Sequence, residues 1–500
     1  MNAEIKRGLR AMWRPLALTQ LVFCAHVGIF GQSIRPAPTS NTARWAEMSN
    51  QKPVARKADA IDFPGPNDFS RLSWTEAFDA LHKLLVTEYP FTDWRRIDWQ
   101  KLYRLYQHRI VEAQRDNDAD GFRLAIREYV YSIPDGHMHV HGPFEDLRKK
   151  QIGGGFGFAI ALLDDGRVVC YRVEEESPAA RAGLKPGARI VSFDGKAIKA
   201  AALGLPVLWT RKPVSTLEQR RIEEYRYLSR APVGTSAHIG FLNPGDTAVR
   251  VATLTAIDDS FEYLRNSQPP WPVRNGQALL SHKILDSAFG YIAIFGEDAN
   301  IMPEFKKTLQ EMIEQKVPAL ILDIRQNPGG DDEPAAQVAS FFHTEKSLFE
   351  YAQYYNSATG TFDILTTQTI YVDPQQPHFN GPVIALIGPG TASSGEGIAL
   401  EISRAPRGRT LGLHGTAGYF GMSGGSAKLP NNVEVGFPIG ASLDKKEQIQ
   451  VDSDYSGAGG VLPQITVRRT YENMLAIGRG EDVELKIAER ELAQTLAKQE

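Results

Sequence analysis

Three segments carry residue types that could together perform acyl transfer. Residues 388–394 (GPGTASS) follow an apolar run and precede a helical pattern, which is typical of a strand-to-helix junction that exposes a serine hydroxyl, here Ser393. Gly329 and Gly330 form a turn after a second apolar run, where main-chain N–H groups could hold a developing oxyanion. Residues 135–137 (DGH) supply a histidine, the usual base for a serine nucleophile at neutral pH.

Each segment alone also has a purely structural interpretation. A serine such as Ser393 caps helices far more often than it attacks carbonyls. His137 and His139 alternate as a strand-borne metal site would, but no third ligand is near them in the sequence, so no metal site is predicted. His139 competes with His137 as the base, and His414 is a third candidate, although a loop histidine more often has no catalytic role.

Length and composition narrow the class of protein. Five hundred residues predict two to four domains of about 100–200 residues. The 44 glycines and 30 prolines indicate many turns and argue against a coiled coil. The 56 basic and 59 acidic residues nearly balance, so no nucleic-acid partner is expected. Cys24 and Cys170 form no CxxC pair and no disulfide framework, and no cofactor motif is present.

Residues 1–32 have the pattern of a secretory signal peptide. Four basic residues within positions 1–14 precede an apolar stretch that is short for a membrane helix, which needs about 20 residues. Export to the periplasm or the extracellular space is expected, with a membrane anchor as the alternative if the segment stays uncut. No integral membrane span is expected beyond it. Residues 33–70, rich in Pro, Ser, Thr and Asn, are predicted to be a linker.

The next two regions differ in periodicity. Residues 71–150 repeat apolar residues every three or four positions, which predicts a small N-terminal helical domain that stops before the DGH segment. Residues 151–255 predict strands and turns. In this second region a glycine loop leads into a strand, and the run SPAARAGLKPGARIVSFDGKAI follows at 177–198. This pattern resembles a PDZ domain.

The resemblance to a PDZ domain implies a peptide site. The turn formed by Gly155, Phe156, Gly157 and Phe158 would present N–H groups to a terminal carboxylate, and the adjacent strand edge would accept the peptide as an extra strand. The alternative is a small β-domain that only spaces its neighbours.

The rest of the chain alternates between strands and helices. The pattern predicts a central sheet in residues 256–478 and a C-terminal helix in 479–500. The main predicted elements are strands at 291–295, 319–324 and 381–387 and helices at 302–315 and from about 393.

In chain order, the DGH segment, the PDZ-like unit, the glycine turn and the serine segment resemble the tail-specific (C-terminal-processing) serine protease family. The resemblance extends over roughly residues 70–498. The segment GGVLPQITV at 459–467 resembles a further family motif, with Gln464 in place of Asp. The resemblance implies a multidomain α+β fold: an N-terminal helical domain, a PDZ-like β-rich domain and a crotonase-like α/β protease core.

The family has two catalytic versions. One uses a lysine about 25 residues after the serine, but residues 411–421 contain no lysine. The resemblance therefore favours the tricorn-like version, in which Ser393 is the nucleophile, His137 the base, and an acid lies just before GGVLP. Asp452 and Asp454 are the candidates for this acid, with Asp452 ahead.

The resemblance also implies an oxyanion hole and a substrate class. The N–H groups of Ser394 and of Gly329 or Gly330 would bind the oxyanion, and the partners would be protein or peptide substrates with exposed C-terminal tails. Two other functions stay open: a catalytically silent PDZ-containing binding protein and a hydrolase for non-peptide substrates.

Overall fold

The computed structural model of the chain describes residues 56–498, and its mixed α/β architecture confirms the predicted fold class. Within this range no helix is both long and apolar enough to cross a membrane. The predicted signal peptide at 1–32 lies outside the described residues. The helices, in chain order, are α1 Trp74–Glu88, α2 Trp99–Asp116, α3 Ala119–Tyr131, α4 Glu145–Ile152, α5 Pro178–Arg181, α6 Ile198–Ala202, α7 Leu217–Tyr227, α8 Glu262–Asn266, α9 Ile301–Glu314, α10 Asp332–Ser340, α11 Ser394–Arg404, α12 Tyr471–Gly478 and α13 Val483–Ala497.

The strands form several separate sheets. They are β1 Arg56–Ala58, β2 Asn67–Asp68, β3 His139–His141, β4 Gly154–Gly155, β5 Phe158–Leu162, β6 Val168–Val173, β7 Arg189–Phe193, β8 Lys196–Ala197, β9 Arg230–Ala231, β10 Ser236–Leu242, β11 Arg250–Thr255, β12 Ile257–Asp258, β13 Leu280–Ile284, β14 Gly290–Ile294, β15 Leu320–Asp323, β16 Ser347–Asn356, β17 Thr361–Val372, β18 Val383–Leu386, β19 Gly408–Gly412, β20 Met422–Leu429, β21 Val433–Leu443 and β22 Ile465–Thr466.

The first three helices form where their caps and apolar stripes predict. Ser73 and Glu76 make a reciprocal capping box at the start of α1, and Asp98 and Asp118 cap α2 and α3. The apolar faces of the three helices, including Phe78, share one core with strand β21. The chain leaves α3 directly into the DGH segment, so this core fixes where that turn lies.

A seven-stranded sheet receives the DGH segment. Its order is β1-β17-β16-β21-β20-β2, and β3, which begins at His139, pairs antiparallel with residues 434–436 of β21. Strands β1 and β2 come from the region predicted to be a linker. They pair parallel with β17 and β20, so part of residues 33–70 belongs to this sheet.

The PDZ-like region is a sheet of order β11-β10-β7-β6-β5, with β8 on β7. Ser177 caps α5 and Pro178 occupies its first turn. Residues 203–216, which we call the strap, join α6 to α7 and contain no helix or strand. The strap is tied to the helical domain because the Tyr131 hydroxyl donates to the Thr210 carbonyl at 2.7 Å.

The parallel sheet holds the serine. Its order is β13-β14-β15-β18-β19-β22, and every neighbouring pair from β14 onwards is parallel. The carboxyl ends of parallel strands meet at one edge of the sheet. The turn at 324–330 and the turn at 387–393 therefore lie side by side, and the Ala392 N–H donates to the Asn327 carbonyl at 3.0 Å.

A buried arginine fixes the first of these turns. The guanidinium of Arg325 is fully buried and donates to the carboxylates of Asp323, Asp482 and Glu484. Three acids around one buried cation satisfy its charge and its hydrogen bonds together. The cluster ties the end of β15 to the start of α13.

Candidate active site

The structure brings His137 and Ser393 together. The Nε2 atom of His137 lies 3.1 Å from the Oγ atom of Ser393, which is hydrogen-bond distance. His137 is buried and Ser393 is half-buried. The histidine comes from the turn after α3 and the serine from the turn after β18, so the pair joins the helical domain to the parallel sheet.

Ser393 has a strained backbone. It is the N-cap residue of α11, with φ of 53° and ψ of −131°, and its side chain makes no capping hydrogen bond. Non-glycine residues with positive φ persist only where the surroundings hold them. Here the Ser393 N–H donates to the Tyr419 carbonyl at 3.1 Å. The hydroxyl is consequently directed away from the helix and towards His137.

Glu396 holds the loop that supports Ser393. Its buried carboxylate accepts the Gly418 N–H at 2.8 Å, the Tyr419 N–H at 2.9 Å and the hydroxyl of Thr416. Burial raises the pKa of Glu396 to about 7 despite these hydrogen bonds. The sequence analysis missed Glu396, although it stands in the first turn after the serine pair.

The turn that carries His137 is held from two sides. The Gly136 N–H donates to the Ser215 hydroxyl of the strap at 2.9 Å. A Cβ atom on Gly136 would stand 2.0 Å from the Tyr419 ring, so only glycine fits there. The same ring packs edge-on against His137, with ring centroids 4.9 Å apart. The imidazole therefore has little freedom to turn away from Ser393.

Asp135 is the carboxylate that lies near His137. Its Oδ1 accepts the His137 main-chain N–H at 2.8 Å and lies 4.0 Å from His137 Nδ1. The Tyr89 hydroxyl donates to its Oδ2 at 2.9 Å. Within residues 56–498, Nδ1 itself has no hydrogen-bond partner. Asp135 is named in the sequence motif but is not among the predicted catalytic acids.

The two predicted acids lie elsewhere. Asp452 is buried, accepts from Arg95 at 3.1 Å and from the Phe420 N–H at 3.0 Å, and makes no ion pair with His137 within the described range. Arg95 also lies 3.6 Å from Asp135. Asp452 is therefore linked to the turn that carries His137 through this arginine. Asp454 accepts from Ser456 in a surface turn and does not approach the site.

Burial sets the charge state of His137. The pKa of His137 is lowered to about 4, chiefly because burial disfavours the charged form; Asp135 opposes this shift, and the positive charges of Lys212 and Arg95 add to it. The imidazole is therefore neutral at pH 7, which is the form that can accept the proton of a serine hydroxyl.

The predicted oxyanion donors are only partly free. The Ser394 N–H has no acceptor among the described residues. The Gly329 N–H donates to Asn327 Oδ1 at 2.9 Å, and the Gly330 N–H donates to the Ser394 hydroxyl at 2.7 Å. Gly329, with φ of +94°, stands against the nucleophile: a Cβ atom there would be 2.6 Å from that of Ser393.

A buried acid that the sequence analysis missed lies behind this turn. Glu297 accepts the Ser394 hydroxyl at 2.9 Å and also the side-chain amide of Asn327. Burial raises its pKa to about 7. Its position three residues after the apolar strand β14 was the available signal, because the carboxyl edge of this sheet carries the other site residues.

The other histidines lie away from the serine. His139 begins β3, and its Nδ1 contacts the His137 carbonyl at 3.0 Å. The Nδ1 atom of His414 lies 2.9 Å from a carboxylate oxygen of Glu218, which is hydrogen-bond distance. Gly418 stands 25 residues after Ser393, where the other family version has its lysine. It has φ of +75°, and a Cβ atom would meet Thr216 at 2.5 Å, so no lysine side chain could occupy this position.

The predicted peptide-binding turn is closed in this structure. Gly155, Phe156, Gly157 and Phe158 are all buried, and the two phenylalanines belong to the core of the PDZ-like region. The Phe156 N–H donates to the Ser229 carbonyl at 3.2 Å, so this N–H is not free to bind a peptide.

Comparison with known proteins identifies two regions. Residues 288–467 match the model of peptidase family S41, and residues 169–202 match that of the PDZ domain. Residues 288–467 are therefore similar to peptidase family S41. The resemblance to C-terminal-processing proteases is thereby confirmed. The S41-like region contains Ser393, whereas His137 lies 151 residues before its first matched residue.

Relatives and solved structures agree with this family. The carboxy-terminal processing protease CtpB of Bacillus subtilis (strain 168) is 22% identical over 320 residues, 63% of this chain and 55% of that protein. The chloroplastic C-terminal processing peptidase of Tetradesmus obliquus is 23% identical and covers 71% of this chain and 72% of that protein. The chain thus spans little more than half the length of the Bacillus relative.

The fold around the S41-like region also has a solved counterpart. The crystal structure of mature CPAF has a TM-score of 0.59 and 13% identity, and it covers 85% of this chain and 98% of that one. At this identity the likeness concerns the fold.

Proposed function

We propose that the protein is a serine endopeptidase that hydrolyses unstructured protein segments, including C-terminal tails, through an acyl-enzyme on Ser393. The observation that carries the proposal is the 3.1 Å contact between His137 Nε2 and Ser393 Oγ, in a chain that contains an S41-like region. The proposed substrates are proteins, and the proposed location is outside the cytoplasm because residues 1–32 have the pattern of an export signal.

The proposed first step forms the acyl-enzyme. His137 Nε2 takes the hydroxyl proton as Ser393 Oγ bonds to the scissile carbonyl carbon. The Ser394 N–H is a ready donor to the oxyanion, and the glycine turn is proposed to supply the second by exchanging one of its present acceptors. The imidazolium then gives its proton to the leaving amine as the C–N bond breaks.

The second step releases the acid product. Neutral His137 removes a proton from water as the water oxygen bonds to the acyl carbon, and Ser393 Oγ leaves with the proton from the imidazolium. We assign Asp135 the part of stabilising that imidazolium, since it holds the His137 N–H and lies 4.0 Å from Nδ1. Asp452 is proposed to act through Arg95, by positioning Asp135.

Activity and labelling test the proposal together. The wild-type protein should cleave an unfolded protein and react at Ser393 with a fluorophosphonate probe. Ser393→Ala should lose both, with a fall in kcat of about 10⁴-fold or more and an unchanged melting temperature. Ser281→Ala, at an exposed position in β13, is the matched control and should retain both properties. Probe labelling or cleavage that persists in Ser393→Ala would exclude this serine as the nucleophile.

A catalytically silent, peptide-binding protein is the second candidate. It is favoured by the two glycine N–H groups that are already bonded and by the unpartnered Nδ1 of His137. Such a protein would bind C-terminal peptides with equal affinity in the wild type and in Ser393→Ala, and neither would cleave them.

A further inference from the structure

The strap brings two positive charges to the catalytic pair. The Nζ atom of Lys212 lies 5.1 Å from the centroid of the Tyr419 ring, and the same ring packs edge-on against His137. The ammonium and the imidazole therefore lie against the same aromatic ring. Arg211, the preceding residue, is exposed.

These cations have no carboxylate partner in the described part of the chain. Neither Arg211 nor Lys212 makes an ion pair, and the contact of the Lys212 ammonium is with the Tyr419 ring face. Of the acids nearby, Asp135 is held by Tyr89 and Arg95, and Glu396 is held by the loop it supports. The charges at the site are therefore available to an anion from outside.

The partial burial of Lys212 favours the binding of such an anion. This residue is half-buried, and burial together with the repulsion of Arg211 lowers its pKa, whereas the charge of Asp135 opposes this shift. A partly desolvated ammonium without a counter-ion gains more from a bound carboxylate than a fully hydrated one does. Lys212 is not a candidate base, because the Ser393 hydroxyl faces His137.

Two anchors fix the position of this pair. On one side of it the Thr210 carbonyl accepts from Tyr131 at 2.7 Å, and on the other the Ser215 hydroxyl accepts the Gly136 N–H at 2.9 Å. The segment between the anchors is short and its Val214 is buried. The strap thus holds the cations beside the histidine turn.

We propose that Arg211 and Lys212 form a carboxylate-binding subsite that selects substrates with a negative charge close to the scissile bond. This inference rests on the proposed peptidase function and names its substrate class. Extended chain covers about 3.3–3.6 Å per residue, so a cation that lies against the same ring as the imidazole matches a carboxylate about two to three residues from the bond that is cut. The carboxylate is either a free C-terminus or an Asp or Glu side chain.

Three matched peptides distinguish these sources. One ends in a free carboxylate three residues after the cleaved bond, the second ends there in a carboxamide, and the third is the carboxamide with Glu as its last residue. We expect KM of the wild type to be about tenfold lower for a peptide with the recognised carboxylate, with kcat little changed. Preference for the first peptide alone indicates the C-terminus, and preference for the first and third indicates any carboxylate.

Substitutions then assign the preference to the strap. Lys212→Met should abolish the difference in KM, Lys212→Arg should retain it, and Arg211→Gln should reduce it. Lys306→Met, which removes an exposed lysine on α9, is the matched control and should leave the preference unchanged. An equal KM for all three peptides in the wild type, or a preference that survives Lys212→Met, would overturn the subsite.

Binding to Ser393→Ala separates this proposal from the proposed function. Fluorescence anisotropy with labelled versions of the same peptides measures the preference without turnover. If the wild type cleaves none of them but Ser393→Ala binds the carboxylate peptides more tightly, and Lys212→Met in that background removes the difference, the peptidase function fails and the subsite stands. If the affinities are equal, the subsite is refuted even where cleavage is observed.

Discussion

His137 Nε2 and Ser393 Oγ lie 3.1 Å apart although 256 residues of chain separate them. The contact depends on three parts of the fold: the helical core that ends at the DGH turn, the strap that bonds to Gly136, and the parallel sheet that presents the serine. Each of these parts can be altered by a separate substitution, and the effects on catalysis and on stability should differ.

The pH dependence of catalysis should report the buried histidine. Because burial lowers the pKa of His137 to about 4, the neutral base persists well below pH 6.5. We expect the acid limb of kcat/KM to have its midpoint below pH 6, in measurements from pH 4 to 8. His414→Asn should leave the midpoint in place, because that histidine pairs with Glu218. A midpoint at 6.5 or above would show that His137 is not the titrating base.

Substitutions of Asp135, Asp452 and Asp454 should lower kcat by different amounts. Asp135→Asn removes the charge next to the imidazole, and we expect kcat to fall by about 10²–10⁴-fold. Asp452→Asn should cost less than about tenfold in kcat, since Asp452 acts through Arg95. Asp454→Asn, in a surface turn, should match the wild type and serves as the control. Equal losses for Asp135→Asn and Asp452→Asn, at unchanged melting temperatures, would instead support Asp452 as the orienting acid.

Gly329 should be intolerant of a side chain for two separable reasons. Alanine at positive φ costs about 1–2 kcal/mol wherever it stands. Gly183→Ala measures this cost alone, because Gly183 has φ of +77° and no neighbour within 4 Å of a Cβ atom. Gly329→Ala adds a contact of 2.6 Å with Ser393, so it should lower the free energy of unfolding further and reduce kcat. Similar urea midpoints for the two variants would contradict the close approach.

Ser215 should matter both for stability and for catalysis. Ser215→Ala leaves the buried Gly136 N–H without its acceptor, which costs about 1–3 kcal/mol. Because His137 follows directly, we also expect a several-fold loss in kcat. Ser236→Ala, whose hydroxyl bonds to Thr255 at an exposed position, should change neither value. Thermal unfolding and steady-state kinetics on the same samples check this, and normal kcat in Ser215→Ala would mean that the strap does not position the histidine.

Glu396 should make stability fall as pH rises. Its folded pKa of about 7 lies above the usual 4.5, so its contribution is complete below pH 4.5 and is lost as the pH rises through 7. A shift of this size is worth about 3 kcal/mol. The Glu396→Gln variant should be less stable than the wild type at pH 5, because its NH₂ group faces a main-chain donor. Its free energy of unfolding should also change less between pH 5 and 8. Glu304→Gln, exposed on α9, should keep the wild-type slope in urea titrations at both pH values.

The sequence predicts well those elements whose signals are local. Strands β14, β15 and β18 follow from short apolar runs, and α11 follows from the serine and glycines at its start. The seven-stranded sheet was not predicted, because β21 pairs with β16 and β3, which lie far from it in the chain, although its pairing with β20 is a local hairpin. Such distant pairings leave no local pattern to read.

The features of the candidate site also divide into those that the sequence indicates and those that depend on tertiary contacts. Ser393 and His137 were identified through family resemblance, whereas their proximity results from the tertiary structure. The orientation of Asp452 depends on Arg95, which is 357 residues away. The burial of the Phe156 turn depends on its pairing with Ser229. Neither relationship could be derived from spacing along the chain.

The separation in the sequence between the proposed base and the proposed nucleophile has a consequence for synthesis. The part of the chain that matches the S41 family holds the serine, and the histidine is made first, 256 residues earlier. At about 5–20 residues per second, roughly 10 to 50 seconds pass between the two on the ribosome. A chain that stalls or is cut in this interval has a base with nothing to deprotonate. On the proposed mechanism such a chain lacks its nucleophile, so it could not cleave neighbouring proteins.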